Sequence, residues 1–209
     1  VKYAKIGNRG LCIRIDNSHF KDENLAKHIE DFIKDHALDI KNVDILVDLQ
    51  IVDKSITAES VIEKFSHIPH IDNYRSFILS GGAFPKDLSE LQKFESHQLD
   101  RNDWKLWQEI INSGKLKRNP TFSDYTIQHP IFYGYVLGAN TSASVRYTND
   151  EKWEILRGEA LNYVKKNGEK GPGYKQYLAH AREIIKQTFY KKADYSFGDS
   201  EINRIAEPK

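Results

Sequence analysis

Six side chains carry the chemistry that this sequence offers. Arg146, Tyr147 and Arg157 stand in the runs Ser144-Val145-Arg146-Tyr147-Thr148 and Trp153-Glu154-Ile155-Leu156-Arg157-Gly158, which set two arginines at the ends of strand-like segments. Arginine presents a planar fork of donors that fits phosphate or carboxylate, and its charge persists at any ordinary pH. Tyr147 and Trp153 beside them offer rings that can stack on a base. Asp16, Asp48 and His129 complete the set, each at or just past the end of a strand-like run. If those strands lie parallel, all six side chains collect on one rim, where closed barrels and open α/β sheets bind their ligands. Such a rim suits a phosphate-bearing ligand. It also admits a second chemistry, in which Asp16 and Asp48 hold a divalent cation with His19 or His129 as a further partner.

Each residue also has a plainer role. Strand-end aspartates commonly cap the next helix, and capping is the better supported reading of Asp16 and Asp48. For the arginines the plain role is an internal salt bridge, with Glu154 or Asp48 as partner. Ser80-Gly81-Gly82 reads as a glycine turn with positive φ, and more weakly as an anion cradle, since it lacks both GxGxxG and the Gly-Lys-Ser/Thr of a P-loop. Cys12, the one cysteine, lies in a strand-like run and reads as a small packed hydrophobe. The other histidines show no metal-ligand spacing.

The elements that would position these groups follow from periodicity. Leu11 to Asp16 is a β-branched run, and Leu25, Ile29, Phe32 and Ile33 then recur at helical spacing. Val43 to Leu49 is a second strand, followed by a helix with Thr57 as N-cap and Val61, Ile62 and Phe65 on one face. Tyr74 to Leu79 is a third strand. The strand starts are about 31 residues apart, the size of a strand with its crossover helix, which predicts parallel pairing. Asp103 then caps a helix carrying Trp104, Trp107, Ile110 and Ile111, closed by Asn112-Ser113-Gly114. Thr121 to Gln128 is a fourth strand, and residues 133–140 form a loop. Runs 143–148 and 153–157 pair as a hairpin across Asn149-Asp150, or lie apart in the sheet. Gly168 to Gly173 is a glycine-rich loop, and Tyr174 to Phe189 supplies the last helix.

Composition restricts the function classes. With 39% hydrophobic and 11% aromatic residues in 209, the chain can bury a core, and it reads as one α/β domain over 1–209. Lys and Arg number 31 against 30 Asp and Glu, so no global field draws in nucleic acid or an anionic membrane, and a polyanion would need a local basic patch. A lone cysteine fits a reducing cytoplasm, and no apolar run approaches a membrane span. Val1 in first place and the lack of methionine lead us to expect a domain incomplete at its N terminus.

Repeated βα units allow two architectures, a (β/α) barrel of the TIM type or an open parallel α/β sheet. Four or five units cannot close a barrel, so the expected fold is the C-terminal part of one, with the open sheet as alternative. Sequential strand order favours the barrel, and a reversal favours the open sheet.

Ala143-Ser144-Val145-Arg146-Tyr147-Thr148, then Trp153, Arg157-Gly158, Gln176-Tyr177-Leu178 and Phe197-Gly198-Asp199 with Ile202, together with Asp124 and His129-Pro130, resemble the beta family proteins of temperate and satellite phages and bacterial mobile elements. The resemblance spans most of the chain. It implies a phage-encoded component of a toxin-control or anti-phage defence module, working beside a partner protein from the same operon. It brings no catalytic residues and no cofactor. The resulting expectation is recognition of a phosphate-bearing ligand, a nucleic acid or a partner protein at the Arg146 and Arg157 rim. The alternative is a metal-dependent phosphodiesterase or nuclease-like hydrolase.

Overall fold

The structure, a computed structural model, describes residues 9–131 and 141–207. In chain order its elements are β1 (Leu11–Asp16), α1 (Leu25–Asp35), β2 (Val43–Ile51), α2 (Ala58–Ser66), β3 (Ser76–Gly82), β4 (Ser96–Asp100), α3 (Asn102–Asn112), β5 (Thr121–Asp124), β6 (Val145–Asn149), β7 (Lys152–Leu156), α4 (Lys175–Ile184) and α5 (Phe197–Ala206). The run Val1 to Ile6, which reads as a strand or as the tail of a segment begun upstream, and the loop at 133–140 lie outside the described residues. Contacts gather into two compact units. The first holds the described residues up to Lys86 and from Arg101 to Ile131, and the second holds Asp87–Asp100 and the residues from Thr141 onward. Because the second unit takes 87–100 out of the middle of the first, no linker composition marks the border.

In the first unit β1, β2, β3 and β5 form a parallel sheet in that order. The βαβ reading of the sequence is met here, and the order is sequential. Alternation along the strands sorts the two faces. Ile15, Val43, Ile45, Val47, Leu49, Phe77 and Leu79 are buried against Leu25 and Ile29 of α1, Val61 and Phe65 of α2, and Leu106 and Ile110 of α3. Cys12, Arg14, Asp44, Leu46 and Ile78, which alternate with them, are half-buried or exposed. One face is thus a helix-covered core, and the other carries the polar groups. Cys12 is exposed on that second face and is not the packed hydrophobe its strand position suggested.

Among the described residues the parallel strands make an open four-stranded sheet and not a closed barrel. Among the described residues the parallel series ends with β5. The second unit is a separate antiparallel sheet, β4-β7-β6, with β6 and β7 paired as the hairpin read from Asn149-Asp150. Val145, Tyr147 and Leu156 on one side of it pack with Ile184 and Ile185 of α4, Ile202 of α5, and Phe189 and Tyr190 between the two helices. No helix among the described residues is long and apolar enough to cross a membrane.

Two local expectations change. Ser80-Gly81-Gly82 is not a turn but the buried end of β3, and neither glycine has positive φ. A Cβ on Gly81 would meet Val52 Cγ2 at 2.5 Å, and one on Gly82 would meet Pro130 Cγ at 2.8 Å, so close packing is what requires glycine there. Asp103 lies in the first turn of α3 and does not cap it, because the helix begins one residue earlier, after Arg101.

The loop that feeds β3 is held by one side chain. Arg118 donates from Nη1 to the carbonyls of Ile71, Asp72 and Tyr74 at 3.2, 3.3 and 2.7 Å, and from Nη2 to that of Arg75 at 3.0 Å. Hydrogen bonds to a charged group contribute about 1.5–3 kcal/mol each when buried, less here because Arg118 is half-exposed. Arg118→Ala is expected to lower unfolding free energy by about 2 kcal/mol in urea titration. A loss under about 0.5 kcal/mol would show that the carbonyls find water at no cost.

Candidate functional site

Three of the four parallel strands share one device toward their carboxyl ends. At β1, Asp16 Oδ1 accepts the Ser18 N–H at 2.9 Å; at β2, Asp48 Oδ1 accepts the Gln50 N–H at 2.9 Å; at β5, Asp124 Oδ1 accepts the Thr126 N–H at 3.0 Å. Asp16 and Asp124 therefore close turns over the ends of β1 and β5, and Asp48 closes one inside β2, short of its end at Ile51, as aspartate side chains do when they bond the backbone two residues on. The second and third turns place Gln50 and Thr126 in the left-handed region, at φ 59° and 58°. The register of β2 against β3 also shifts between Asp48 and Ile51, and such a bulge re-aims the side chains beside it.

Asp16 spends its carboxylate locally. Its Oδ1 also accepts the Ser18 hydroxyl at 2.6 Å and lies 2.9 Å from His19 Nδ1. The Ser18 hydroxyl, then the Ser18 N–H and His19, hold this carboxyl down at about 2. Asp16 therefore closes a turn and does not cap a helix as its strand-end position suggested, since the N-cap position of α1 is Asn24; Asp48 likewise leaves the cap of α2 to Thr57.

Asp48 does more. Its side chain is 2% exposed, and Oδ2 accepts from Arg14 Nε at 2.8 Å, from Arg14 Nη2 at 2.7 Å and from the Tyr125 hydroxyl at 2.6 Å. The carboxylate is a buried anchor between three strands. Burial and the bond to Asp48 push the Tyr125 hydroxyl up to about 12, so it stays a donor. Arg14 is held by Asp48, which raises its pKa, yet its side chain is 52% exposed. The Nη1 edge carries none of these bonds. The outcome is a guanidinium fixed from behind by a buried carboxylate and presented on the polar face of the sheet. Sequence reasoning passed over Arg14, although Leu11-Cys12-Ile13-Arg14-Ile15-Asp16 alternates so that Arg14 shares a face with Asp16. The missing information was the register that sets Arg14 two residues from the Asp16–Asp48 pair.

The six residues singled out in the sequence divide between the units. Asp16, Asp48 and His129 belong to the first; Arg146, Tyr147 and Arg157 belong to the second. His129 is half-buried, and its Nδ1 accepts the Ile131 N–H at 3.2 Å. Among the described residues no three His, Cys, Asp or Glu side chains are grouped to hold a metal ion. Asp16, Asp48 and His129 therefore do not form such a group.

In the second unit Arg146 lies opposite Ile155, half-buried, and burial lowers its pKa. Arg157 follows β7, where its N–H bonds the Glu95 carbonyl at 3.2 Å and its Nη1 donates to the Ser89 carbonyl at 3.1 Å. That guanidinium carries a structural bond, though to a carbonyl and not to the Glu154 or Asp48 carboxylates weighed from sequence. Tyr147 requires correction: it is buried, its hydroxyl donates to Asp199 Oδ1 at 2.7 Å and accepts the Lys191 N–H at 3.1 Å. Trp153 is buried as well, so neither ring is offered to a base. Asp199 in turn bonds Ser196, whose hydroxyl caps α5 by accepting the Asp199 N–H at 3.1 Å. Serine followed three residues later by an acidic residue is a helix-start signal, and it identifies α5, which the sequence reading left out.

The other quoted motif residues form a second knot. Ala143 and Glu159 join backbone to backbone at 2.9 Å, the Glu159 N–H reaches Gln176 Oε1 at 2.6 Å, and His180 Nε2 donates to the Ala143 carbonyl at 2.9 Å. Burial lowers the His180 pKa, which favours the neutral ring that this single donation uses. Gly158 sits inside the knot. These residues tie the segments flanking β6 and β7 to α4.

Residues 2–209 match a family model described as beta protein. No curated protein and no solved structure matches the chain.

Proposed function

The chain belongs to the beta protein family, and from that premise and the Arg14 geometry we propose a phosphate-recognising protein whose ligand docks on the polar face at the carboxyl ends of β1, β2 and β5. The carrying observation is the Arg14 guanidinium, half in solvent and anchored by the buried Asp48 carboxylate. A fork held in one orientation loses less rotamer entropy on binding an anion, and its two edges allow one to serve Asp48 while the other serves a ligand oxygen. Anion recognition thus moves from Arg146 and Arg157 to Arg14.

In the same reading the four sequential strands, with all three crossover helices on one face, are an arc of a (β/α) barrel of the TIM type. Right-handed crossovers in sequential order keep every helix on one side, whereas a doubly wound sheet needs a reversal to cover both. The polar face then corresponds to a barrel interior, and the strand ends to its ligand-binding rim. The setting we propose is the one that the phage resemblance implies: a cytoplasmic toxin-control or anti-phage defence module in which the bound phosphate group belongs to the signal that the module senses.

Calorimetric titration of the chain with inorganic phosphate and with adenosine monophosphate tests this. Arg14→Ala is expected to weaken binding at least about tenfold, equivalent to about 1.4 kcal/mol, with Arg14→Lys intermediate because a point charge replaces the fork. Equal affinity in Arg14→Ala, or no binding of either probe by the unmodified chain, rejects the proposal.

A further inference from the structure

Asp103 stands apart from the polar face. It is 4% exposed in the first turn of α3, and neither of its carboxyl oxygens has a hydrogen-bond partner. It lines a narrow cavity between α3 and the ends of the strands, together with Ser80, Gly81, Ser123, Trp107 and Phe122. An unpaired buried carboxyl costs folding free energy, and proteins seldom retain one without a bound partner. The remaining lining is largely apolar, from Leu49, Val52, Leu79 and Leu106, so any guest finds its polar contacts at Asp103 and the serine-bearing strand ends.

We infer that this cavity is a binding site for one small hydrogen-bond donor, a water molecule held between the Asp103 carboxyl and the ends of β3 and β5. The free space accommodates about one water, and polar partners on two sides meet what a buried water requires. Burial raises the Asp103 pKa against the weaker pull of the neighbouring Trp104 N–H, which falls short of a well-formed hydrogen bond, and then of Arg101. A carboxyl engages water in either state, accepting from it when ionised and also donating to it when protonated, so one guest can satisfy both oxygens in turn. Ammonium shares the donor chemistry but would require the ionised acid, which burial disfavours. The water would tie the start of α3 to two strands through a group that the sequence presents only as a helix-start aspartate.

Magnetic relaxation dispersion of the folded chain counts its long-lived waters. Asp103→Leu is expected to lose one of them relative to the unmodified chain, and Asp103→Asn to retain it. If the leucine variant does not fold, nuclear Overhauser contacts from water to the Asp103 and Gly81 amides of the unmodified chain decide the matter. Those contacts are expected, and their absence overturns the site. An unchanged count in folded Asp103→Leu also overturns it. A thermal midpoint raised by ammonium chloride over sodium chloride, with the rise abolished in Asp103→Asn, would assign the cavity to a cation and refute the water.

Discussion

Gly158→Ala is expected to destabilise the second unit by at least about 3 kcal/mol. A Cβ at Gly158 would lie 2.3 Å from the Ala143 carbonyl oxygen, 2.6 Å from Gln176 Oε1 and 3.0 Å from His180 Nε2. The first of these is backbone, and it cannot retreat without breaking the Ala143–Glu159 bond or the His180 bond, both 2.9 Å. Gln176 is equally committed, since its amide nitrogen also donates to the Gly173 carbonyl at 2.8 Å. Overpacking alone costs about 1–3 kcal/mol, and each buried hydrogen bond lost adds about 1–3 kcal/mol for the group left unpaired. Gly198→Ala is the control. Its Cβ would meet only Ser196 Oγ at 3.6 Å, an ordinary contact inside α5, so replacing a helical glycine there should be neutral or stabilising by up to about 1 kcal/mol. Guanidinium unfolding followed by Trp153 fluorescence measures both. Equal stability of the two variants would falsify the packing argument.

Asp48→Ala should be the most damaging change in the first unit, at about 2–4 kcal/mol. It removes the acceptor of Arg14, of the Tyr125 hydroxyl and of the Gln50 N–H together. The loss sits at or below the range for a fully buried pair because Arg14, at 52% exposure, can return to water, whereas the half-buried Tyr125 and the Gln50 turn cannot do so as easily. Arg14→Ala should cost less, about 1 kcal/mol, since it leaves Asp48 with two of its donors in place. The order of the two losses is the informative quantity. If Arg14→Ala proved as destabilising as Asp48→Ala in urea titration, the carboxylate would not be the anchor of the cluster. Asp48→Ala should also weaken phosphate binding, through an arginine that has lost its orientation.

Much of the first unit could be read from the sequence because its signals are local. The alternation of Leu11 to Asp16 and Val43 to Leu49, the stripes of α1 and α2, and the Thr57 cap, whose hydroxyl accepts the Ser60 N–H, all act within a few residues. Their spacing implied parallel crossovers, and the register followed it. In contrast β4, Ser-His-Gln-Leu-Asp, has no apolar run to announce it. It is a strand because β7, more than 50 residues later, offers Trp153 to Leu156 as partners.

The candidate site divides in the same way. Asp16 and Asp48 were visible as strand-end carboxylates, but the helix-capping role read for them went to Asn24 and Thr57, and their own oxygens bond the backbone two residues on. Arg14 acquired meaning only when β1 and β2 came into register and a buried carboxylate reached across 34 residues to hold it. Tyr147 and Arg157 moved the other way: their types suggested a ligand, and the folded elements around them claimed the Tyr147 hydroxyl and Arg157 Nη1 instead. The sequence by itself determined the parallel βα series, its polar strand ends and the family. Only tertiary structure decided which charged side chains face solvent and which are consumed inside, because a side chain's partners depend on strand register and helix packing, and neither is a property of its neighbours in the chain.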